Sequence, residues 1–436
     1  MRKNLVLGIL RETFSSSEHR APLTPGDVKW LIKKGVKVEV KSSKERVFND
    51  LQYKKAGAKV LDRFKQASFL LGIKPPQVCD VDKDKVYMCF SHTIKGQPKN
   101  IPLLKEFIKK KVTLIDYEKI TDLHSRRLVH FGRFAGICGL IDSLHYLGEK
   151  LKYQGIKNPF GIIRPAYEYN SLRQAVQAMK QVNSKIAQQG FDKKISPFII
   201  GITGHGNASQ GVQEILRPLN PIEIHPKDML RFVRHQKYIR HRLYKIVFLR
   251  EEKLRSKKVS GFYFEEYLQH PERFESNMDI YLPYLNMFVH TSYWDSRYPR
   301  IVTKEMIHRL WGKKNFRLQF IADISCDING SIELTYKTTN QNNPLFTYDP
   351  KRQSFSDGYK LDGITILASD NLPSELPRDS SQHFSSLVRD YVYQIAAHGV
   401  RDITNHTAIP KEIRQAVITQ SGRLTPRFNY LKKYLP

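Results

Sequence analysis

The chain has 436 residues, of which 40% are hydrophobic and 26% charged, an ordinary composition for a folded protein with a substantial core. No run of 18 or more apolar residues occurs, which excludes a membrane-spanning helix from the prediction. The 72 Lys and Arg residues exceed the 42 Asp and Glu residues, giving a formal net charge of +30. Such a charge favours anionic partners: nucleic acid, acidic lipid or polycarboxylate substrates.

The N-terminus, MRKNLVLGILRETF, has a basic start and a short apolar run, but no small-residue cleavage site follows it. We therefore expect a first β-strand, no signal or transit peptide, and a cytoplasmic protein. The four cysteines are far apart and form no Cys-x-x-Cys pair, so they predict neither a disulfide framework nor a metal site. Free thiols in a reducing compartment are the simplest interpretation.

The first 118 residues alternate strand and helix patterns. The strand candidates are NLVLGIL (4–10), VKVEV (36–40), SFLLGIK (68–74), KVYMCFSH (85–92) and VTLIDYE (112–118). The helix candidates are 23–35, with Thr24 as N-cap and Pro25 in the first turn, 49–58 and 101–111. This alternation predicts a mostly parallel sheet with helices on both faces. Ligands of such sheets bind beyond the carboxyl ends of the strands, where GIKPPQ and FSHTIKGQ carry polar residues.

A second βα series follows two helix candidates at 131–155 and 171–190. It opens with an apolar strand and the loop GITGHGNASQGVQEIL, and its next strands are expected at PIEI (221–224) and LYKIVFL (243–249). Near its end comes FIADISCDINGSIE (320–333). A further strand and turn, GITILASDNLPSELPRD (363–379), precede a helix within 384–399.

The densest basic stretch runs from Arg231 to Lys258 and holds eleven Lys or Arg residues and two Glu residues. Apolar residues are interleaved with the charges, so the stretch does not resemble a charged tail. We interpret it as a solvated face of a basic protein, with nucleic-acid binding as the alternative.

The glycine loop predicts a dinucleotide site. Gly204 and Gly206 are placed for the tight turn and for close approach of the backbone to a pyrophosphate at a helix N-terminus. The third glycine of the usual pattern is replaced by Ser209, and Gly211 comes two residues later. An ordinary strand–helix turn is the alternative interpretation.

The usual ribose-binding acid at the end of the second strand is absent. In PIEIHPKDM that place falls to His225, with Lys227 nearby. Nearby cations and a missing acid favour a 2′-phosphate, and therefore NADP over NAD, and we expect His225→Asp to shift the preference toward NADH. If the register is different, Glu223 or Asp228 takes this place.

Motifs in order along the chain resemble one family. GILRETFSSSEHRAPLTP (8–25) resembles the N-terminal segment shared by alanine dehydrogenases, transhydrogenase subunits and saccharopine-forming enzymes. The segments that look specifically like lysine–ketoglutarate reductases are GIKPPQ, FSHTIKGQ, HFGRFAGICGLID, TGHGNASQGVQEI, HPERF, ADISCDINGSIE, SDNLPSELPRD and QAVITQSGRLTP. The match is to the reductase half of bifunctional alpha-aminoadipic semialdehyde synthases, and we expect the saccharopine dehydrogenase half to be a separate partner.

The resemblance implies that lysine condenses with 2-oxoglutarate and that NADPH reduces the imine to saccharopine. It implies an α/β chain of two doubly wound, Rossmann-like domains with a cleft between them. The expected bounds are 1–140 plus 335–436 for a discontinuous substrate domain, and 141–334 for the dinucleotide-binding domain. NAD is the alternative cofactor.

The resemblance also implies roles for residues. His92 and Lys74 match the motif residues that share acid/base catalysis; the alternatives are a structural histidine and a carboxylate-binding or solvated lysine. Arg20 fits a bidentate carboxylate clamp. The remaining candidates for substrate binding are Arg133, Lys95, Arg126 and Glu118, and those for cofactor binding are Gly204, Gly206, Asn207, Ser209, Gly211, His225, Asp323 and Asp370.

Two other functions stay open. One is the lysine-forming NAD saccharopine dehydrogenase or another opine-type amino-acid dehydrogenase of this fold. The other is a binding protein without catalytic activity, acting through its basic surface, because motifs alone do not prove turnover.

Overall fold

The computed structural model describes residues 5–13, 15–235, 237–258, 261–400 and 403–435. Asn4 of the first predicted strand, Phe14 of the N-terminal motif and Gln236 of the basic stretch lie outside these residues. The chain divides into two compact units, 1–131 with 377–436, and 132–376. The first unit is therefore discontinuous, as predicted.

The elements of residues 5–131 follow the predicted alternation, with one additional strand, β3. They are β1 (Leu7–Ile9), α1 (Pro25–Lys33), β2 (Val38–Lys41), α2 (Asp50–Lys55), β3 (Lys59–Leu61), β4 (Phe69–Leu71), β5 (Val86–Cys89), α3 (Ile101–Lys109) and β6 (Thr113–Asp116). The predicted cap of α1 is confirmed, because the Thr24 hydroxyl accepts a hydrogen bond from the Asp27 N–H at 3.1 Å.

The second unit contains the elements α4 (Gly132–Tyr153), α5 (Leu172–Gln189), β7 (Ile199–Thr203), α6 (Asn207–Leu216), β8 (Ile222–Glu223), α7 (Pro226–His235), β9 (Tyr244–Phe248), α8 (Arg250–Lys253), β10 (Leu254–Ser256), α9 (Phe264–Gln269), β11 (Phe274–Ser276), β12 (Met287–His290), α10 (Lys304–Leu310), β13 (Phe320–Asp323), β14 (Leu345–Asp349), β15 (Ser354–Asp357) and β16 (Ile364–Leu367). The chain then returns to the first unit with α11 (Pro377–His398), α12 (Lys411–Gln415), β17 (Val417–Gln420) and β18 (Arg423–Leu424).

The sheet of the first unit has the strand order β18-β17-β6-β5-β4-β1-β2-β3. Strands β1 to β6 are parallel, whereas β17 runs antiparallel to β6 and to β18. The chain winds outward in both directions from β1, so the order reverses between β1 and β4. That reversal defines the point in a doubly wound sheet where ligands bind.

The sheet of the second unit has the order β15-β14-β16-β13-β12-β7-β9-β8. Strand β7 pairs in parallel with β9 on one side and β12 on the other. All residues of β7 and β12 are buried. Strand β14 is antiparallel to β16 and β15. Both units are therefore doubly wound α/β sheets, as predicted.

The predicted domain bounds differ from these units at two places. Helix α4 lies wholly in the second unit, although the prediction left its first nine residues in the first domain. Residues 335–376, predicted for the first domain, carry β14, β15 and β16 of the second sheet. The reason is a pairing between distant segments, since β16 pairs with β13 in parallel and continues the sheet.

Candidate functional site

Four polar residues follow four neighbouring parallel strands of the first unit. Glu12 comes after β1, Lys74 after β4, His92 after β5 and Glu118 after β6. Because these strands are adjacent in the order β1-β4-β5-β6, their carboxyl ends lie side by side at one edge. The structure thus brings the predicted residues Lys74, His92 and Glu118 to one edge of the sheet, together with Glu12.

Glu12 ties the segment after β1 to the segment after β4. Its carboxylate oxygens accept hydrogen bonds from the backbone N–H groups of Ile73 at 2.6 Å and Lys74 at 3.0 Å. Burial, followed by the negative charge of Glu18, raises the pKa of Glu12 to about 7. The main chain at Lys74 is therefore held by a carboxyl group that exchanges a proton near neutral pH.

Glu18 and Arg20 form a buried ion pair, with side chains 0% and 3% exposed. Arg20 Nε and Nη2 donate to the two carboxylate oxygens of Glu18 at 2.7 Å and 2.5 Å. Burial by itself raises the pKa of Glu18, but the charge and hydrogen bonds of Arg20 and the charge of Lys74 outweigh it and lower this pKa. The Arg20 guanidinium also lies 4.3 Å from the centre of the Phe131 ring. This predicted clamp is already oriented by a carboxylate and an aromatic face.

His92 and Glu118 form a second pair. His92 has a left-handed backbone with φ of 56°, and its Nδ1 lies 3.1 Å from Glu118 Oε1. Burial alone raises the pKa of Glu118, but the hydrogen bond with His92 and the charges of Arg127 and His92 lower it. The carboxylate therefore orients the imidazole, whose side chain is 39% exposed. Among the described residues, the hydrogen bond of the His92 ring is the one that Nδ1 makes with Glu118.

Asp116 supports this pair from within the sheet. It is the last residue of β6, is fully buried, and accepts hydrogen bonds from the N–H groups of Ser91 at 3.1 Å and Glu118 at 2.8 Å. The Ser91 hydroxyl donates to the same carboxylate. Burial, followed by the charge of Glu118, raises the pKa of Asp116 to about 6. The Asp116 carboxyl group thus positions two main-chain segments, at Ser91 next to His92 and at Glu118.

The other predicted substrate-binding residues have different surroundings. Lys95 ends the turn after His92, and its positive charge helps to lower the pKa of Glu118. Arg126 is 76% exposed and pairs with Asp122 at 2.6 Å. Arg133 belongs to the second unit, where its Nε and Nη2 donate to Glu214 at 2.8 Å and 2.7 Å. Both Arg126 and Arg133 thus have a carboxylate partner in the structure.

The predicted glycine loop joins β7 to α6. Gly204 has φ of +89°, and an added Cβ at this position would stand 3.0 Å from both Thr291 Oγ1 and Ser292 Oγ. Gly206 precedes α6, and nothing lies within 4 Å of the place where its Cβ would stand. Both glycines line a pocket of about 340 Å³ in the second unit, whose other lining residues include Arg250, Lys253, Tyr267, Thr291, Ser292 and Trp294.

Gly211 and Ser209 do not line this pocket, although we predicted both as cofactor-binding. A Cβ at Gly211 would stand 2.0 Å from the Arg133 carbonyl oxygen, and one at Gly136 would stand 1.9 Å from the Ala208 carbonyl oxygen. Helices α4 and α6 therefore touch backbone to backbone, and Gly211 permits this packing. Ser209 is fully buried in the first turn of α6. Asn207, exposed as the first residue of α6, stays a predicted cofactor residue.

The prediction for His225 is wrong about its place in the sheet. His225 follows β8, which is the edge strand, and β9 lies between β8 and β7. The strand beside β7 is therefore β9, and the residue two positions beyond its end is Arg250. The error arose because we took the strands in chain order, whereas the structure places the third strand of the series next to the first.

Asp323 is the last residue of β13 and is fully buried. One carboxylate oxygen accepts from the Ser325 N–H and hydroxyl, at 3.1 Å and 2.6 Å, and the other accepts from the Thr335 hydroxyl at 2.7 Å. Burial raises its pKa to about 6. These bonds give Asp323 a turn-stabilising role. Asp370 lies exposed in the segment after β16.

Two family models match the chain. They are the alanine dehydrogenase/PNT N-terminal domain, over residues 8–138, and the alanine dehydrogenase/PNT C-terminal domain, over residues 294–427. The two matches together span more than half of the chain. The chain belongs to the alanine dehydrogenase/PNT family.

Members of this family with curated names match along nearly all of the chain. It is 32% identical to the alpha-aminoadipic semialdehyde synthase of Arabidopsis thaliana over 99% of its length, and 33% identical to the mitochondrial enzyme of Mus musculus over 98%. These matches cover 41% and 48% of the two relatives, so the chain spans about half the length of the curated relatives it matches. The saccharopine dehydrogenase [NAD(+), L-lysine-forming] of Emericella nidulans is 26% identical over 88% of the chain and 91% of the relative.

The fold agrees with the family. An L-alanine dehydrogenase structure aligns with 98% of this chain and 100% of its own, with a TM-score of 0.63 and 15% identity. Within the part of the chain that the structure describes, no helix combines the length and the apolar character needed to cross a bilayer.

The sequence analysis missed three ionisable residues. Glu12 belongs to the strand-end cluster of the first unit, and Arg250 and Lys253 line the pocket of the second unit. Glu12 was detectable, because it follows β1 as Lys74 follows β4. Arg250 and Lys253 lie in the basic stretch 231–258, which we treated as one surface. In the structure that stretch is divided among α7, β9, α8 and β10, and Tyr244, Ile246 and Phe248 of β9 are buried.

Proposed function

We propose that the chain catalyses the NADPH-dependent reductive condensation of L-lysine with 2-oxoglutarate to saccharopine, the first step of lysine degradation. The observation that carries the proposal is the cluster of Lys74, His92 and Glu118 at adjacent strand ends of the first unit. Its support is the similarity, along 98–99% of the chain, to relatives named alpha-aminoadipic semialdehyde synthase.

The condensation needs proton transfers that this cluster is suited to perform. The ε-ammonium of lysine must lose a proton before its nitrogen attacks the ketone carbon, and the resulting hydroxyl must gain a proton to leave as water. With Nδ1 held by Glu118, His92 takes up and returns these protons at Nε2. Lys74, whose main chain is held by Glu12, shares this work as the second acid/base group. Reduction of the imine then consumes one hydride and one proton, and gives a secondary amine.

Saccharopine carries three carboxylates, which require cationic partners. We propose that Arg20 and Lys95 supply them from the first unit, with Glu118 also near the substrate amine. Arg20 is held in place by Glu18, so its guanidinium loses little conformational freedom when a carboxylate binds. Arg126 and Arg133 are also paired with carboxylates, those of Asp122 and Glu214, and we propose them as secondary ligands.

The second unit fits a nicotinamide dinucleotide. A side chain at Gly204 would strain the backbone, and one at Gly206 would occupy the open space beside α6. The pocket of about 340 Å³ opens onto both glycines. In the proposal Gly204, Gly206 and Asn207 hold the pyrophosphate, and Asp370 lies near the cofactor. The nicotinamide, when bound, supplies the hydride for the imine.

The proposal is tested by absorbance at 340 nm with purified protein, lysine, 2-oxoglutarate and either NADPH or NADH. Oxidation that requires both substrates and is faster with NADPH supports it. The reverse assay, with saccharopine and NADP, follows the same reaction in the other direction. A protein that binds NADPH but oxidises none with this substrate pair contradicts the proposed substrates.

The similarity to a saccharopine dehydrogenase over most of both chains favours a second candidate, the lysine-forming NAD enzyme or another opine-type dehydrogenase. The same assay separates them, because that candidate prefers NADH. Binding of nucleic acid or acidic partners through the basic surface, without turnover, is the third candidate. It predicts no oxidation of either cofactor and binding that weakens steeply with salt.

A further inference from the structure

Two cations lie together in the pocket of the glycine loop. Arg250 begins α8, two positions beyond the end of β9, and Lys253 ends the same short helix. Lys253 is 8% exposed, and its Nζ donates to the Ser292 hydroxyl at 2.7 Å. Ser292 in turn faces Gly204, because an added Cβ on Gly204 would stand 3.0 Å from its hydroxyl oxygen. Lys253 is therefore buried against the glycine loop itself.

Neither cation forms a salt bridge with a carboxylate of the described residues. The Arg250 guanidinium instead lies over aromatic faces, 4.7 Å from the centre of Phe264 and 5.5 Å from that of Tyr267. Burial, followed by the charge of Arg250, lowers the pKa of Lys253 to about 8. Lys253 is thus a buried ammonium beside a guanidinium. Its Nζ donates to the Ser292 hydroxyl, and the negative charge of Glu251 acts on it without a salt bridge, so a bound anion would supply a direct counter-charge.

The strand order of the second sheet indicates which anion would bind beside Arg250 and Lys253. In a doubly wound sheet the strand beside the first strand ends at the ribose of the adenosine, where an acid binds the 2′-hydroxyl and an arginine accommodates a 2′-phosphate. Here the strand beside β7 is β9, and Arg250 follows it. Glu251 and Glu252 are the nearest acids in sequence, and Glu252 is engaged by the Leu249 N–H at 2.7 Å.

We infer that Arg250 and Lys253 bind the 2′-phosphate of NADPH and determine the preference for NADPH over NADH. This inference rests on the proposed function for the identity of the cofactor class, and it names the residues that discriminate within that class. The planar guanidinium binds two phosphate oxygens in a fixed geometry, while Lys253 adds a point charge from the pocket wall.

The test measures cofactor binding without substrates. NADPH and NADH are titrated into the protein, and the nicotinamide fluorescence is followed. We expect Arg250→Ala and Lys253→Met each to raise the Kd for NADPH by roughly 10- to 100-fold, the loss of charge-assisted hydrogen bonds, and that for NADH by less than about 3-fold. Arg250→Asp should favour NADH, because a carboxylate accepts from the ribose hydroxyl.

Matched controls are Arg234→Ala and Lys313→Met, at exposed positions elsewhere in the second unit, which should leave both Kd values unchanged. Retained NADH binding shows that a variant is folded. Competition provides a second readout: adenosine 2′,5′-bisphosphate should displace NADH from the wild type far better than from Arg250→Ala, whereas 5′-AMP should displace NADH equally well from both.

Equal losses for NADPH and NADH would overturn the inference, because they would place both cations on the diphosphate that the two cofactors share. Unchanged Kd values in the variants would overturn it as well. Since no substrate is present, failure to turn over lysine and 2-oxoglutarate leaves this result standing. Conversely, turnover with no change of preference in Arg250→Ala overturns the inference alone.

Discussion

The carboxylate of Glu12 accepts a hydrogen bond from the backbone N–H of Lys74 at 3.0 Å, so a residue after β1 holds the residue after β4 that we propose as an acid/base group. The same carboxylate holds Ile73 at 2.6 Å. This bridge crosses the point at which the strand order of the first sheet reverses. It makes the position of Lys74 depend on a partly buried acid that the sequence analysis did not single out.

Glu12 predicts a pH-dependent contribution to stability. The fold raises its pKa from 4.5 to about 7, so the protonated carboxyl favours the folded state. The stabilisation of the folded state by the protonated Glu12 carboxyl is complete below pH 4.5 and is lost as the pH rises to about 7. The Tm of the wild type, relative to that of Glu12→Gln, should therefore fall between pH 4.5 and 7. Glu45→Gln, at an exposed position, is the control, and an identical slope in both variants would contradict the expectation.

The His92–Glu118 pair predicts coupled losses of activity. His92→Ala and Lys74→Ala should each lower kcat by roughly ten- to ten-thousand-fold, the range for loss of a proton-transfer group. Glu118→Gln should lower kcat by a smaller factor than His92→Ala. In the His92→Ala background it should lower kcat little further, because the Glu118 carboxylate acts by orienting the imidazole. His124→Ala and Lys29→Met are exposed controls. Additive effects of the His92 and Glu118 changes would show that the two residues act independently.

The glycines of the second unit should divide into packing and binding positions. Gly136→Ala and Gly211→Ala should lower the free energy of unfolding by about 1–3 kcal/mol, because each new Cβ overlaps a carbonyl of the facing helix. Gly206→Ala should leave the Tm unchanged, since the space around it is open, but should weaken both NADPH and NADH. Thermal melts and cofactor titrations of the three variants check this division, which a destabilised Gly206→Ala would refute.

The sheet order also reverses our expectation for His225. Because β9 separates β8 from β7, we now expect His225→Asp to leave the ratio of the NADPH and NADH Kd values unchanged. A shift toward NADH in this variant would place the ribose at the edge strand and would contradict the position given to Arg250.

Local patterns predicted the elements, and through them the strand-end residues. These patterns put Lys74, His92 and Glu118 at the ends of predicted strands, whereas the roles given to them came from the resemblance to lysine–ketoglutarate reductases. The order of β8 and β9, and the addition of β14 to β16 to the second sheet, depend on pairings between distant segments. No local pattern encodes these pairings. The prediction therefore assigned the ribose position to His225 after β8 instead of a residue after β9, and its domain bounds differ from the two compact units. Close helix contact at Gly136 and Gly211 is likewise visible only in three dimensions.

The discontinuous first unit has a consequence for synthesis on the ribosome. The open side of β6 is covered by β17, and the Leu114 N–H donates to the Thr419 hydroxyl across 305 positions of the chain. Until residues 417–424 have been translated, β6 is an unprotected edge that other strands can pair with. The second unit, continuous from 132 to 376, is complete before that point. The nascent chain should therefore carry a folded dinucleotide unit beside an unfinished sheet, and chaperone capture should be strongest just before the last strands emerge.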